Sequence, residues 1–308
     1  MKSAIITGPT GAVGVSLINE LVSQGWNVLA VVRPNSNRIS AVPVHPNVEI
    51  AECDLRDLKN LDLKGKKYDA FFHFGWVGTY GAQRQDIPLQ NSNIEYTLDA
   101  VNAAHRAGCE VFVGAGSQSE FGHISGVLHP DLFCNPDNGY GAAKLSACHM
   151  SRVLCQQLGI RHEWCRIVSL YGPYDGSYTM VMSIINKLLS GERPICTNGD
   201  QVWDYIYSKD AARAFRLVAE KGKDGSIYCF GTGKTMLLRD YIFAIRDAVN
   251  PDAEIGIGEL PYYPNQVMHL EADISNLTED TGFTPKYSFD EGIRETIEWV
   301  KNQRSTEG

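Results

Sequence analysis

The sequence predicts an α/β protein: a doubly wound parallel sheet covered by helices on both faces, with a smaller α/β lobe interleaved toward the C-terminus. Three observations predict it. Short apolar runs alternate with longer segments of helical period over roughly the first half of the chain. A glycine triplet, Gly8, Gly11 and Gly14, stands where the first run meets the first helical segment. Beyond residue 170 the alternation loosens, yet a late apolar run, "SIYCFG", has the character of a strand that rejoins the first sheet.

The elements follow in order. "SAIIT" reads as strand and "AVGVSLINELVSQ" as helix; "NVLAVV", "NVEIAE" and "YDAFFHF" read as three more strands. "SNIEYTLDAVNAAHRA" is helical, "EVFVGAG" a strand, "YGAAKLSACHMSRVLCQQL" a long helix, and "RHEWCRIVSLYG" a strand. Gly25, Gly108 and Gly159 each close a helical segment just before the next strand, where a left-handed residue is needed. After "GPYDGSYT" come a helical "MVMSIINKLLSG", short strands near 195 and 206, and a helix from about 209 to 221. Helical stretches near 236 to 250 and 288 to 303 finish the chain, with no clean linker and no internal repeat.

At 308 residues the chain exceeds a typical single core. A net charge of -8 gives no general attraction to nucleic acid or an anionic membrane. No stretch approaches the ~20 apolar residues needed to span a bilayer, and the N-terminus runs into a glycine-rich turn without a secretory cleavage pattern. The expectation is a cytoplasmic protein. The eight cysteines form no CxxC pair and read as reduced, mostly buried thiols. The histidines show no HxxxH or HExxH spacing, so no metal site is expected.

"IITGPTGAVG" opens the first helix with Gly8, Thr10, Gly11, Ala12, Val13 and Gly14. The absent side chains allow a tight turn, close approach of backbone to a pyrophosphate, and close packing of helix on strand. A glycine triplet alone is common, but at the first strand-to-helix junction it reads as a Rossmann-type dinucleotide turn. The second strand ends in "VVRPNSNR", and from Asn27 to Asn47 there is no Asp or Glu to hold the ribose hydroxyls of NAD. Arg33, helped by Arg38, is placed to pair with a 2′-phosphate, so NADP(H) is favoured and NAD(H) remains possible. Asp54 with Leu55, after the third strand, is a candidate adenine contact, although an Asp opening a helix is often simply an N-cap. In "HFGW", Phe74 and Gly75 end the fourth strand, and Gly75 lets the nicotinamide ribose approach the backbone.

"NGYGAAK" sets Tyr140 and Lys144 four residues apart on one helical face. An ammonium beside a phenol lowers its pKa from near 10 and suits it to acid/base work. Taken alone such a pair is common on surfaces; its position behind a dinucleotide turn gives it weight.

With these motifs in order, together with "ECDL", "HFGW", Asn93 in "NSNIEYT", "GAGSQSEFG", "RIVSLYGP", "GDQVWDYIYSKDAARA" and "FGTG", the chain resembles the extended short-chain dehydrogenase/reductase family. This is the NAD-dependent epimerase/dehydratase group of nucleotide-sugar epimerases, dehydratases and 4-ketoreductases. The resemblance implies a dinucleotide-binding domain over 1–170 and 208–233 and a sugar-nucleotide lobe over 171–207 and 234–308. It implies Ser117 as the hydroxyl that binds the reacting sugar oxygen, Tyr140 as the proton carrier, and Lys144 as the group that holds the nicotinamide ribose and tunes Tyr140. Asn93 and Ile167 join the implied cofactor contacts. Trp76, Ser117, Gln118, Tyr140, Ser169 and Trp203 are the implied substrate contacts.

Departures from the family pattern carry information. Dehydratases of this type have a Thr-Asp-Glu run where this chain has Ser117, Gln118 and Ser119; Glu120 falls one position late, and on an extended segment it would point the other way. Dehydration is therefore disfavoured. Trp203 in "QVWDYIY" and Tyr263 in "YYPNQ" stand where arginines commonly grip a diphosphate, so the nucleotide is held differently or the substrate is not an ordinary nucleoside diphosphate sugar. Trp203 reads equally as a core residue or a stacking surface. The expected activity is NADPH-dependent reduction of a 4-keto sugar nucleotide. The alternatives are an epimerase with retained cofactor and, from another class, a non-catalytic dinucleotide sensor. An apolar stripe of Ile94, Leu98, Val101 and Ala104, widened by Tyr96, Ala100 and Ala103, predicts a homodimer through helices 88–107 and 140–158.

Overall fold

The structure is a computed structural model, which describes residues 2–264 and 266–307. Strand β1 (Ser3–Thr7) leads into helix α1 (Ala12–Ser23), followed by β2 (Asn27–Val32), β3 (Val48–Glu52) and β4 (Ala70–His73). Then come α2 (Ile87–Ala107), β5 (Val111–Ser117), a short β6 (Gly126–Leu128), α3 (Gly139–Leu158) and β7 (Arg161–Ile167). The remainder holds β8 (Leu170–Tyr171), α4 (Met180–Leu189), β9 (Val202–Trp203), β10 (Ile206–Tyr207), α5 (Ser208–Lys221) and β11 (Ile227–Phe230). Last are β12 (Met236–Leu237), α6 (Leu238–Val249), β13 (His269–Ala272), α7 (Ser275–Thr281) and α8 (Phe289–Glu307).

Seven strands form one parallel sheet in the order β11-β7-β5-β4-β1-β2-β3. Strands β1, β2, β4 and β5 read as largely apolar runs because both faces are covered: along β4, Phe71 packs into one core with Leu29, Val101 and Phe112, and Phe72 into the other with Ile6, Leu17 and Phe215. Burying each such ring stabilises the fold by about 1.5–3 kcal/mol. The strand order reverses between β1 and β4, and a ligand crevice is expected beyond the strand ends at such a point. The late run "SIYCFG" does rejoin this sheet, as β11 beside β7.

The C-terminal part carries a four-stranded sheet, β12-β9-β13-β6, and a parallel pair, β8 with β10. Ile184, Ile185, Ile242, Ile245, Ile293 and Ile297 from α4, α6 and α8 form its own apolar cluster. The strand expected near 195 is only a single bridge, Ile195 to Gly256. Gly108 (φ 72°) and Gly159 (φ 70°) close α2 and α3 in the left-handed conformation.

The stripe expected on α2 is divided by the structure. Ala100, Val101, Ala103 and Ala104 are buried, but toward the helix N-terminus the buried positions are polar, Gln90, Asn93 and Thr97, while Ile94, Tyr96 and Leu98 are half-buried. That half of α2 faces the loop after β4, whose backbone needs partners. Among the described residues no helix is long and apolar enough to cross a membrane. The thiols of Cys109, Cys148, Cys155, Cys165 and Cys229 are buried.

Candidate active site

The crevice begins at the β1–α1 turn. Gly8 has φ 68°, and a Cβ there would lie 2.9 Å from the Gly75 amide nitrogen, so β1 and β4 end in backbone contact. A Cβ on Gly14 would lie 2.3 Å from the Gly8 carbonyl oxygen, whereas one on Gly11 would meet nothing nearer than 3.9 Å. Gly8 and Gly14 thus close the turn, and Gly11 leaves its outer side open. Gly11 is the N-cap of α1, with no capping side chain and no acidic residue in the first turn, so the amides at Ala12, Val13 and Gly14 keep their affinity for an anion. Thr10 is half-buried beside them. These features fit the pyrophosphate of a dinucleotide.

Thr7 fixes the end of β4. Its hydroxyl accepts from the amides of Phe74 and Gly75, each at 3.2 Å, and lies 2.9 Å from His73 Nδ1. Burial pushes His73 down to about 3, so this imidazole stays neutral. Leu55 packs over Gly75, where a Cβ would meet Leu55 Cδ2 at 2.6 Å. Asp54 is an N-cap, accepting from the Arg56 amide, and it is ion-paired with Arg56. Asn93 is buried with its amide directed at backbone: Oδ1 accepts from the Val77 amide, and Nδ2 donates to the Val77 and Leu89 carbonyls. It shapes the loop behind Gly75.

The two arginines expected at the 2′-phosphate follow β2 and are both exposed. Arg38 donates to the Tyr174 carbonyl at 2.7 Å and so ties its loop to the segment before α4. Ile167, half-buried, packs against the core at the end of β7.

Strand β5 delivers Ser117. The glycines before it are required by Trp164 on β7: a Cβ on Gly114 or Gly116 would lie 2.2 or 2.3 Å from the indole. After Ser117 the chain turns at once, and Gln118–Glu120 is a 3-10 turn. The extended segment expected for Glu120 is therefore corrected. Ser117 Oγ accepts from the Ser119 amide, and the Ser117 amide donates to Glu120 Oε1 at 2.8 Å, a capping box. Glu120 Oε1 also accepts from Trp164 Nε1 at 2.9 Å, and Oε2 from Arg166 Nε at 2.7 Å. Glu120 is fully buried and its carboxylate is a structural anchor.

Helix α3 starts on Asn138, whose side chain accepts from the Gly141 amide, and it presents Tyr140 and Lys144 one turn apart, both buried. Ser117 acts on the Tyr140 phenol and favours its ionised form. Burial is the largest influence on Tyr140 and pushes the phenol up; Arg84 and Ser117 act against it. Lys144 Nζ donates to the Ala115 carbonyl at 2.6 Å and stands 3.8 Å over the Trp76 ring. Burial pushes Lys144 down to about 7, opposed by Glu120. Trp76 is held by Gln90 at 2.9 Å and meets Tyr140 edge-on. The structure thus gathers Ser117, Tyr140, Lys144 and Trp76, with Gln118 Nε2 3.4 Å from Ser119 Oγ at the rim.

Ser169 and Trp203 are brought together, Trp203 Nε1 donating to Ser169 Oγ at 2.8 Å. Trp203 is half-buried and packs against the Phe121–Val168–Leu270 cluster. Tyr263 is 80% exposed.

Several residues were missed. Arg84 lies 4.2 Å over the Tyr140 ring and donates to Ser119 Oγ at 2.7 Å. Tyr80 and Tyr178 stack at 3.8 Å, and Tyr178 bears electrostatically on Tyr140. Asp204, fully buried, accepts from the amides of Thr232, Gly233 and Ala272. The Ser-x-x-Glu spacing of Ser117 and Glu120 was a usable signal; the loop arginine and tyrosines offered none.

A crevice at the strand switch point, a glycine turn shaped for a pyrophosphate and a Ser-Tyr-Lys cluster beside it define a dinucleotide-binding fold equipped for proton transfer. The chain matches the NAD dependent epimerase/dehydratase family over residues 4–231 and belongs to that family. It is 29% identical over 171 residues to dTDP-glucose 4,6-dehydratase of Salmonella typhimurium, spanning 53% of this chain and only 47% of that protein. It is 23% identical over 343 aligned positions to dTDP-glucose 4,6-dehydratase of Xanthomonas campestris pv. campestris, covering 100% of this chain and 96% of the other. Among solved structures, UDP-N-acetylglucosamine 4-epimerase from Methanobrevibacter ruminantium, in complex with UDP-N-acetylmuramic acid, superposes with a TM-score of 0.88 at 24% identity, covering 98% of this chain and 99% of that one. A dTDP-glucose 4,6-dehydratase from Streptomyces venezuelae with NAD bound gives 0.85 at 21% identity, covering 99% and 98%. At these identities the structural likeness is one of fold.

Proposed function

We propose that the protein is an NAD(P)-dependent oxidoreductase that transfers hydride at a sugar carbon of a nucleotide-linked sugar, in net terms the reduction of a 4-keto group. One observation carries the choice against dehydration: the only carboxylate of the Ser117–Glu120 turn, Glu120, is locked by Arg166, Trp164 and the Ser117 amide, and positions 118 and 119 are neutral. Elimination of water needs an acid and a base free to move protons; this turn offers neither. The relatives named as dehydratases make elimination the reading to test against.

The dinucleotide is assigned to Gly8, Thr10, Gly11, Ala12, Val13 and Gly14 at the pyrophosphate, Asp54 and Leu55 at the adenine, and Phe74, Gly75 and Ile167 at the nicotinamide ribose. Asn93 acts through the loop it shapes. Arg33 and Arg38 give the preference for NADP(H) over NAD(H). When bound, the cofactor supplies a hydride to the reacting carbon. Ser117 donates a hydrogen bond to the carbonyl oxygen of the sugar, and Tyr140 delivers the proton that this oxygen needs as it becomes a hydroxyl. Lys144 keeps positive charge near the phenolate left behind. Trp76 and Gln118 border the sugar; the Ser169 hydroxyl, which accepts from Trp203 Nε1, is left to meet a phosphate of the nucleotide. A homodimer through α2 and α3 is part of the proposal, with Met150 (48% exposed) and Val153 (51% exposed) on α3 as the apolar surface to be covered.

The test is incubation with NADPH and a panel of 4-keto nucleotide sugars, following nicotinamide absorbance and the sugar product. Stoichiometric NADPH loss with alcohol formation supports reduction. Isomerisation of an unoxidised sugar nucleotide with no net absorbance change, and cofactor surviving purification, would instead establish an epimerase; formation of a 4-keto-6-deoxy sugar would establish a dehydratase. A cellular role untouched by Tyr140→Phe would point to a sensor.

A further inference from the structure

The proton-transfer tyrosine of this site carries a cation that its helix does not supply. Lys144 Nζ is directed at the Ala115 carbonyl (2.6 Å) and the Trp76 face (3.8 Å), and it lies 5.9 Å from the Tyr140 ring centre. The guanidinium of Arg84, from the loop between β4 and α2, lies nearer, 4.2 Å from that ring centre. It is not free to wander: Nη2 donates to Ser119 Oγ at 2.7 Å and Nη1 to the Thr79 carbonyl at 3.3 Å. Both anchors are neutral, so no carboxylate at the anchors cancels its charge.

We infer that Arg84 is a positioning residue for Tyr140, a permanent cation that Ser119 orients over the phenol ring and that stabilises the phenolate formed in proton transfer. The inference rests on the reading of Tyr140 as the proton carrier. A guanidinium stays protonated at every pH at which the protein is folded, whereas an ammonium buried as Lys144 is does not hold its proton so firmly. The other groups facing the phenol are Ser117 and Glu120 from the β5 turn and Tyr178 from the segment before α4; Glu120 and Tyr178 oppose ionisation, and Ser117 favours it. Trp76 meets the ring edge-on and carries no charge. Arg84 is therefore the first favourable charge on a phenol whose burial works against ionisation.

The experiment follows Tyr140 itself, so it needs no substrate. The NAD-loaded protein is prepared with isotope-labelled tyrosine, the Tyr140 resonance is assigned by its loss in Tyr140→Phe, and its titration is followed by NMR. Arg84→Met is expected to raise the Tyr140 titration by about one pH unit, since an opposite charge within ~4–6 Å favours the charged form. Arg84→Lys should restore part of the shift, and the limb of the activity–pH profile that reports Tyr140 should move in parallel. Arg84→Gln replaces Arg84→Met if the latter does not fold. A Tyr140 titration that superimposes on wild type after the guanidinium is removed overturns the inference. Full turnover in Tyr140→Phe would refute the functional reading instead, so the two failures are told apart.

Discussion

Replacing Glu120 with Gln should lower the urea midpoint of unfolding by about 1–2 M while leaving the slope unchanged. The carboxylate and its partner are 0% and 2% exposed, and Nε of Arg166 lies 2.7 Å from Oε2. Oε1 takes two further donors, the Ser117 amide and the Trp164 indole. A carboxamide has one oxygen for three donors on two sides, so its NH2 must face an N–H whichever way it turns. Removing one partner of a buried pair leaves the other charge uncompensated, at a cost of about 3–5 kcal/mol. Against a total stability on the order of 5–15 kcal/mol that is a large fraction. With a urea slope near 3 kcal/mol/M the midpoint shift follows. Because Ser117 opens this turn, turnover should fall as well, by about 10²-fold for a displacement near 1 Å. Arg166→Met combined with Glu120→Gln should cost less than the sum of the two single changes, since no charge is then stranded. A single-variant midpoint within about 0.3 M of wild type, or strictly additive costs, would refute the anchor argument.

Tyr140→Phe should reduce turnover by about 10²–10⁴-fold, the usual reach of a positioned acid or base, with little change in dinucleotide affinity measured by fluorescence titration. Arg33→Asp should weaken NADPH binding by about 10–100-fold and NADH by far less, since a charge-assisted contact contributes about 1.5–3 kcal/mol; equal losses for both cofactors would remove the 2′-phosphate assignment. Lys144 gives a pH test on the cofactor-free protein. Its folded value is held down to about 7 against an ordinary 10.5, so between those values the unfolded chain binds more protons and stability attributable to Lys144 rises with pH. Relative to Lys144→Met, the wild type should therefore gain stability from pH 7 to 10, as read by denaturant midpoints; a difference independent of pH would contradict its buried, desolvated setting.

How far these features were legible depended on how local their cause was. The parallel sheet was readable because β1, β2, β4 and β5 are largely apolar runs with both faces buried, and the helices between them keep their period; β7 was less plain, since His162, Glu163 and Arg166 are buried in it. The dinucleotide turn and the Tyr140–Lys144 pair were readable because glycine spacing and a one-turn separation fix their geometry locally. The strands β6, β9, β12 and β13 are two to four residues long, too short to show alternation, and their partners lie far away in sequence. Glu120 was misplaced because an extended backbone was assumed where the Ser117–Glu120 capping box turns the chain. Arg84 and the Tyr80–Tyr178 stack depend on where two long loops settle relative to α3, which no local pattern encodes. Trp203 was open between core and ligand surface, and it packs half-buried against Phe121 and Leu270.

The segment "GPYDGSYT" draws the two ends of the site together. Its Tyr174 carbonyl receives Arg38 from the loop that follows β2, and its Tyr178 stacks on Tyr80 from the loop that follows β4. Within it, Asp175 accepts from the Gly176 amide and the Thr179 hydroxyl, and Tyr174 packs on Trp299 of α8. Tyr174 holds φ 66°, a conformation that a bulky residue adopts only when its surroundings impose it. One short segment is therefore held from the loop after β2 by Arg38, from the loop after β4 by Tyr80, and from α8 by Trp299. A segment fixed at three such points couples the loop after β2 to the loop after β4: whatever moves Arg38 bears also on Tyr178, which acts on Tyr140. The Arg38 tie and the Tyr80–Tyr178 stack therefore share one piece of backbone, braced internally by the Asp175 bonds.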